Sequence, residues 1–374
     1  MFAAAATVVG CLLILVTFAD AFEATVLPRR VTRRWRPTRL FYRTTWGAWQ
    51  GLANRFPPGR YRENALAVYG PLSLLVLFSV WVALLITGFA AIHWSRRTLP
   101  NDPPWFDCLY LSGETFFTLG YGDLTPQTPV GKLLSVFEAG VGFGFMAIII
   151  GYLPVLYQAF SRREQTIALL DARAGSPPTA GELLRRFGGE GGDAELERFL
   201  VEWEIWSADL LESHLSFPVL GFYRSQHDNQ SWLAALTTML DVAAIILALG
   251  NEACRRRAQL TFAMARHAAV DLSLVFWLPP TTEVREELSP AELEQIARSL
   301  GVPERAAELE QRLRELRALY EPFVLALSVY FRLRLPPIVP PRTAADNWQS
   351  SPWMKRAPGI TELAAAERPE EHFG

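Results

Sequence analysis

Cysteine is scarce and scattered. Cys11, Cys108 and Cys254 are all that a 374-residue chain contains, and no two stand at CxxC spacing, which excludes a disulfide framework and a cysteine zinc site. Charge is thin as well, at 20% of residues, and the two signs nearly cancel to a net of -2. Low charge beside 50% hydrophobic residues excludes a disordered chain or a coiled coil. The near-neutral sum argues against nucleic acid as a partner. No dinucleotide fingerprint follows a β-like run. The Gly-rich stretch Gly188-Gly189-Glu190-Gly191-Gly192-Asp193 lacks a preceding strand and a GK[ST] ending, and reads as a flexible linker. With no nucleophile-base constellation and no metal-ligand spacing, the chain is not read as an enzyme and no organic cofactor is expected.

A local absence says more. From Ala24 to Arg62 there is no Asp or Glu, while ten Arg stand there. By the positive-inside rule this stretch is cytoplasmic. Trp35, Phe41, Tyr42, Trp46, Trp49 and Phe56 are interleaved with the charges, as suits a helix in the headgroup layer against anionic lipid. Arg30, Arg33, Arg36 and Arg39 fall at every third residue, a spacing similar to voltage-sensor helices. Pro37 and Arg34 interrupt that pattern, so a solvated or lipid-facing basic face is the reading taken.

Three long apolar runs are present. Phe2 to Ala19 predicts a membrane helix with its N-terminus outside. A second span runs from Pro71 to Ile92 between the interfacial aromatics Tyr69 and Trp94, and a third from Val130 to Tyr157, closed by Ser161-Arg162-Arg163. With the Arg-rich segment inside, the second span exits, residues 94–129 lie outside, and the third returns.

Between those spans Asn101-Asp102-Pro103-Pro104-Trp105 marks a helix start. About a dozen residues later comes Thr118-Leu119-Gly120-Tyr121-Gly122-Asp123. Glycine takes positive φ at little steric cost, so Gly120 and Gly122 let successive carbonyls turn toward one axis, as an ion filter requires.

On these residues the sequence resembles the potassium-channel superfamily, the tetrameric pore-loop channels with outer helix, pore helix, filter and inner helix. The likeness covers residues 70–158, and the hexapeptide looks like the family's TVGYGD with Leu119 at the Val position. It implies K+ as permeant ion, held by the carbonyls of Thr118, Leu119, Gly120 and Tyr121 with Gly122 completing the filter, in a homotetramer. Glu114, nine residues before Asp123, matches a pore-helix glutamate that in some members pairs with that aspartate. Tyr110 and Trp105 fall where the family uses aromatics to cuff the filter tyrosine. Phe117 departs from a position that is commonly a small hydroxyl residue, which puts conductance in question. Gly142, nineteen residues after Asp123, falls at the family's hinge glycine, and Gly140 and Gly144 suit close packing or hinging equally. Pro154 is expected to kink the inner helix, with a gate near Tyr157.

After residue 160 the chain reads as helical. Ser289-Pro290-Ala291-Glu292 starts a helix that Gly301 ends, Pro303 opens the next, and Glu304 to Leu333 keeps helical apolar spacing. Trp232 to Leu249 is apolar enough for a fourth span, but Asp241 in its middle favours the buried helix of a soluble bundle. His214 and His227-Asp228-Asn229 near that core suit a ligand pocket or metal site, or satisfied core histidines; Arg266, His267 and Asp271 lie on a following helix.

The resulting fold class is an all-α membrane protein, a potassium-channel pore fold plus an α-helical cytoplasmic domain. Its expected parts are an N-terminal transmembrane helix (1–20), a basic juxtamembrane segment (21–66), a pore domain (67–160), a helical regulatory domain (161–335) and a flexible tail (336–374). Within the pore domain these are an outer helix 70–93, pore helix 104–117, filter 118–123 and inner helix 130–158. The expected function is a potassium-selective channel of the plasma membrane. Its regulatory ligand is unspecified, and the rivals are a weakly selective cation channel of the same fold and a membrane-anchored sensor.

Overall fold

A computed structural model describes residues 2–27, 36–188, 192–226, 230–249, 252–300 and 302–340. The chain divides into two units, Met1–Gln158 and Ala159–Gly374. Among the described residues every regular element is helical.

In the first unit the elements are α1 (Phe2–Thr25), α2 (Pro37–Ala53), α3 (Arg60–Ser95), α4 (Trp105–Phe116) and α5 (Pro129–Ala174), the last turns of α5 belonging to the second unit. Backbone groups in hydrocarbon must be satisfied within their own segment, and the three apolar runs accordingly become α1, α3 and α5. Each is longer than its expected span. At a rise of 1.5 Å per residue α3 and α5 reach roughly 54 and 69 Å, against a hydrocarbon core of about 30 Å. Pro154 does not end α5, which continues to Ala174, sixteen residues past the inner-helix end at 158.

α1 lies along α3. A methyl group on Gly10 would sit 2.5 Å from the Gly88 carbonyl oxygen, and one on Gly88 would sit 2.8 Å from the Ile14 side chain. Only glycine lets the two backbones approach this closely. Toward the other end of α1, Asp20 is buried and accepts from the Thr38 amide (3.0 Å), the Thr38 hydroxyl (2.5 Å) and the Trp81 indole (2.9 Å). α2 has no cap of its own, since its N-cap is Arg36 and Pro37 opens its first turn. An orphan N–H of that turn is thus satisfied by a carboxylate from another helix, with the charge sign that the helix N-terminus favours. Arg36, extended at φ -130, pairs with Glu23 at 3.2 Å. Arg36 and Arg39 therefore do not share a helical face as a voltage-sensor row would; Arg30 and Arg33 lie outside the described residues.

The second unit contains α6 (Ala180–Phe187), α7 (Gly192–Ser216), α8 (Trp232–Leu249), α9 (Glu252–Val275), α10 (Pro290–Ser299), α11 (Ala306–Arg317) and α12 (Glu321–Phe331), with 3-10 turns at Pro218–Phe222 and Pro303–Arg305. α8 is one of four helices long and apolar enough to cross a membrane, yet 94% of it is buried inside this unit. Its Asp241 accepts two bonds from Arg285 at 3.0 Å and one from the Tyr320 hydroxyl at 2.5 Å, so the charge within the apolar run is paired. α10 starts with the expected capping box of Ser289 and Glu292. The continuous helix expected over Glu304 to Leu333 is broken between Arg317 and Glu321, because Pro322 lacks the N–H that would bond across the break. Residues 336–340 are not a free tail. The Gly181 amide donates to Ile338 O at 2.8 Å, Arg285 donates to Pro336 O at 2.7 Å, and Ile338 and Val339 are buried. The rest of the expected tail, residues 189–191 of the Gly-rich linker, Gly301 and His227-Asp228-Asn229 lie outside the described residues.

Candidate pore and filter

The pore loop is built as a helix that ends abruptly. α4 closes with the Thr118 amide donating to Thr115 O (3.1 Å) and the Leu119 amide donating to Glu114 O (2.8 Å), while Thr118 takes a left-handed φ of 55. This is the Schellman pattern, which normally places glycine at the left-handed position. A threonine there costs about 1–2 kcal/mol of strain. Gly120 (φ 63) and Gly122 (φ 78) are also left-handed, whereas Leu119 and Tyr121 are not. A left-handed residue at every second position turns successive carbonyls to one side, where an extended strand would alternate them. The loop can thus present a column of carbonyl oxygens to a cation.

The groups expected to support the loop are placed differently from one another. Glu114 is buried and takes a backbone hydrogen bond from Tyr121, while its Oε2 has no partner. Asp123 is met by the Tyr110 hydroxyl at 3.5 Å, the outer limit of a hydrogen bond, so Tyr110 stands where the pairing of Glu114 with Asp123 was expected. Trp105, at the first turn of α4, packs edge-on against Trp94 of α3 at 6.2 Å. Phe117 is exposed and meets Phe116 edge-on at 5.5 Å.

Gly142 is where α5 touches the end of the pore helix. A methyl there would fall 2.0 Å from the Phe116 carbonyl oxygen, so glycine is required by close approach. Gly140 and Gly144 meet nothing within 4 Å and border an apolar cavity of about 240 Å³ with Phe18, Phe22 and Trp81. Tyr157 is exposed, three residues after Pro154.

In the second unit His214 is a satisfied core histidine. Its Nδ1 lies 2.7 Å from Leu210 O, and the buried Arg163 guanidinium lies 3.2 Å from its Nε2. Burial, with the Arg163 charge beside it, pulls its pKa down to about 3 and keeps it neutral. Arg163 also donates to Leu220 O and Tyr223 O, both at 2.9 Å, and to Glu164. His267 pairs loosely with Asp271 at 3.7 Å near the surface. Among the described residues no group of His, Cys, Asp and Glu could hold a metal ion.

Sequence reasoning passed over Thr118 as a helix cap, which the separation of 114 from 119 does not advertise. It also passed over His93 in α3 and Glu138 in α5, both fully buried. An ionisable residue inside an apolar span was the signal that marks them.

Residues 76–158 match the ion channel family model. The uncharacterized membrane protein YdjJ of Bacillus subtilis is 28% identical over 193 residues, 50% of this chain and 55% of that protein. Two-pore potassium channel 2 of Arabidopsis thaliana is 33% identical over 132 residues, 33% of this chain and 28% of that one. A voltage-gated potassium channel of Aeropyrum pernix is 30% identical over 84 residues, 22% of this chain and 28% of that one. The chain thus spans about half or less of the length of these relatives. No solved structure matches it. The matched family and two of these relatives are channels by name, not enzymes. The segment 76–158, with its short helix, left-handed loop and flanking spans, is similar to the pore segment of the pore-loop potassium-channel superfamily.

Proposed function

We propose that the chain is a potassium-selective channel in which four copies surround one axis and the carbonyls of Thr118, Leu119, Gly120 and Tyr121 replace the hydration shell of a passing K+. The observation that carries this reading is the left-handed φ at Thr118, Gly120 and Gly122 directly after a helix of twelve residues. The names of the relatives supply the ion. One chain offers one loop, and Tyr121, Leu119 and the α5 residues Leu133, Val136 and Phe143 are exposed on it, an apolar surface suited to further copies. The inner helix gates conduction near Pro154 and Tyr157, and α5, which contributes residues to both units, links that gate to the helical domain. The N-terminus faces out of the plasma membrane and the helical domain faces the cytoplasm, with the basic α2 region on anionic lipid.

The test is potassium flux into liposomes containing the full chain. Replacement Gly122→Ala, at φ 78, is expected to abolish flux while leaving the oligomer intact. Flux that survives undiminished overturns the filter assignment. Phe117 at the loop's base favours a second reading, a weakly selective cation pore, and reversal potentials in mixed potassium and sodium gradients separate the two.

A further inference from the structure

Behind the pore helix lies a closed set of polar groups that neither the filter nor the gate uses. Glu138 of α5 and His93 of α3 are both 0% exposed, and Glu138 Oε2 stands 3.4 Å from His93 Nε2. Neither atom has a hydrogen-bond partner, the pair being close enough for an ion pair but not aligned as a hydrogen bond. The other carboxyl oxygen of Glu138 meets the Ser112 hydroxyl of α4, which lies 2.8 Å from Ile86 O on α3. The other ring nitrogen of His93 meets the Thr98 hydroxyl at 2.7 Å. Three helices converge here. Ser112 is two residues from Glu114, and Glu138 is one helical turn from Gly142, which abuts the Phe116 carbonyl.

Hydrogen counting says how the set is wired. Ser112 has one hydroxyl hydrogen and two neighbouring oxygens, Ile86 O and the Glu138 carboxyl. Both contacts are satisfied when Glu138 donates its own proton to Ser112 and Ser112 donates to Ile86. The Thr98 hydroxyl can then donate to His93 Nδ1, leaving His93 Nε2–H pointed at Glu138 Oε2. Glu138, Ser112 and Thr98 then each donate once.

We propose that Glu138 is the positioning residue of the pore helix, holding α4 through Ser112. A buried polar chain that is fully satisfied is rigid, and one that loses a member leaves unpaired groups where no water can serve them. Other titratable or charged groups do not stand in for the pair. Arg96 and Lys132 are exposed, as is the ion pair of Arg97 with Asp102. On α4, Asp107 lies in the first turn, Cys108 sits in an apolar cluster with Leu99 and Leu111, and Glu114 engages Tyr121. α1, which packs on α3, carries no charge before Asp20.

The inference rests on the proposed channel reading, so its test has an arm that needs no current. In the full chain, the rate at which the buried Cys108 thiol reacts with a maleimide reports loosening of α4, with Cys11 and Cys254 replaced by serine. Glu138→Ala is expected to speed that reaction about tenfold, the order of one lost buried hydrogen bond. Glu138→Gln, which keeps a donor and an acceptor, is expected to stay within about threefold of the parent. Ser112→Ala should follow Glu138→Ala, and serves if that variant fails to assemble. In bilayer recordings Glu138→Ala should lose potassium selectivity, and Glu138→Gln should keep it. Equal Cys108 reactivity in parent, Glu138→Ala and Ser112→Ala overturns the proposal, as does unchanged potassium selectivity in Glu138→Ala. A parent that carries no potassium counts against the channel reading alone, because the thiol measurement still decides the role of Glu138.

Discussion

At position 142 one methyl group decides whether the inner helix can reach the end of the pore helix. Gly142→Ala must displace the Phe116 carbonyl by more than an ångström, since its new carbon would begin 2.0 Å from that oxygen. Potassium flux per oligomer is expected to fall by at least about tenfold, with helix content by circular dichroism unchanged. Glycine at this position was legible from its distance to the filter. Its reason was not, because Phe116 lies twenty-six residues away in sequence. His214 shows the same limit: its type was legible as a core histidine, while its neutral state follows from Arg163, fifty-one residues distant. The folded pKa near 3 lies below the usual 6.5, so folding binds fewer protons than unfolding in that interval. Stability from this group is present above pH 6.5 and is lost as pH falls toward 3, with a slope of about 1.4 kcal/mol per pH unit. Denaturant titrations of the full chain should show that acid sensitivity, and His214→Phe should reduce it.

At the scale of elements, the apolar runs and the capping box were readable because each is local: hydrophobic length for α1, α3 and α5, and Ser289 with Glu292 for α10. The mistakes also have local causes. Apolar spacing over Glu304 to Leu333 obscured Pro322, and the Pro-rich sequence after 335 suggested freedom where Ile338 is in fact hydrogen-bonded. What no local pattern carries is a cap supplied by another helix. Asp20 serves α2 from eighteen residues away and Trp81 from sixty-one. Asp20→Ala removes the acceptor for the Thr38 amide and the Trp81 indole together, and is expected to cost about 1–2 kcal/mol for the cap and more for the buried indole. Thermal unfolding of the full chain in detergent measures it, and Glu23→Ala, which removes the partly exposed Arg36 pair, is expected to cost less, about 1 kcal/mol.

For the whole molecule, the segment that states its chemistry is a minority of the chain, and the helical unit after Ala159 was legible in fold but not in purpose. Its buried Asp241, Arg285 and Tyr320 explain how a membrane-grade apolar helix belongs to a globular core. Leu119 and Tyr121 are exposed on one chain, as the proposed shared pore requires. Native mass spectrometry of the full chain released from detergent is expected to find four copies, and a monomer at all concentrations would contradict a shared pore. The attachments of α1 bear on how such a pore moves. Gly10 against Gly88 and Asp20 against Trp81 are two pins about 15 Å apart on one rod. A rod pinned once can swivel, but a rod pinned twice cannot roll or slide without breaking a pin. α1 and α3 are thereby a single strut, and whatever opens the channel must carry both or move α5 against them.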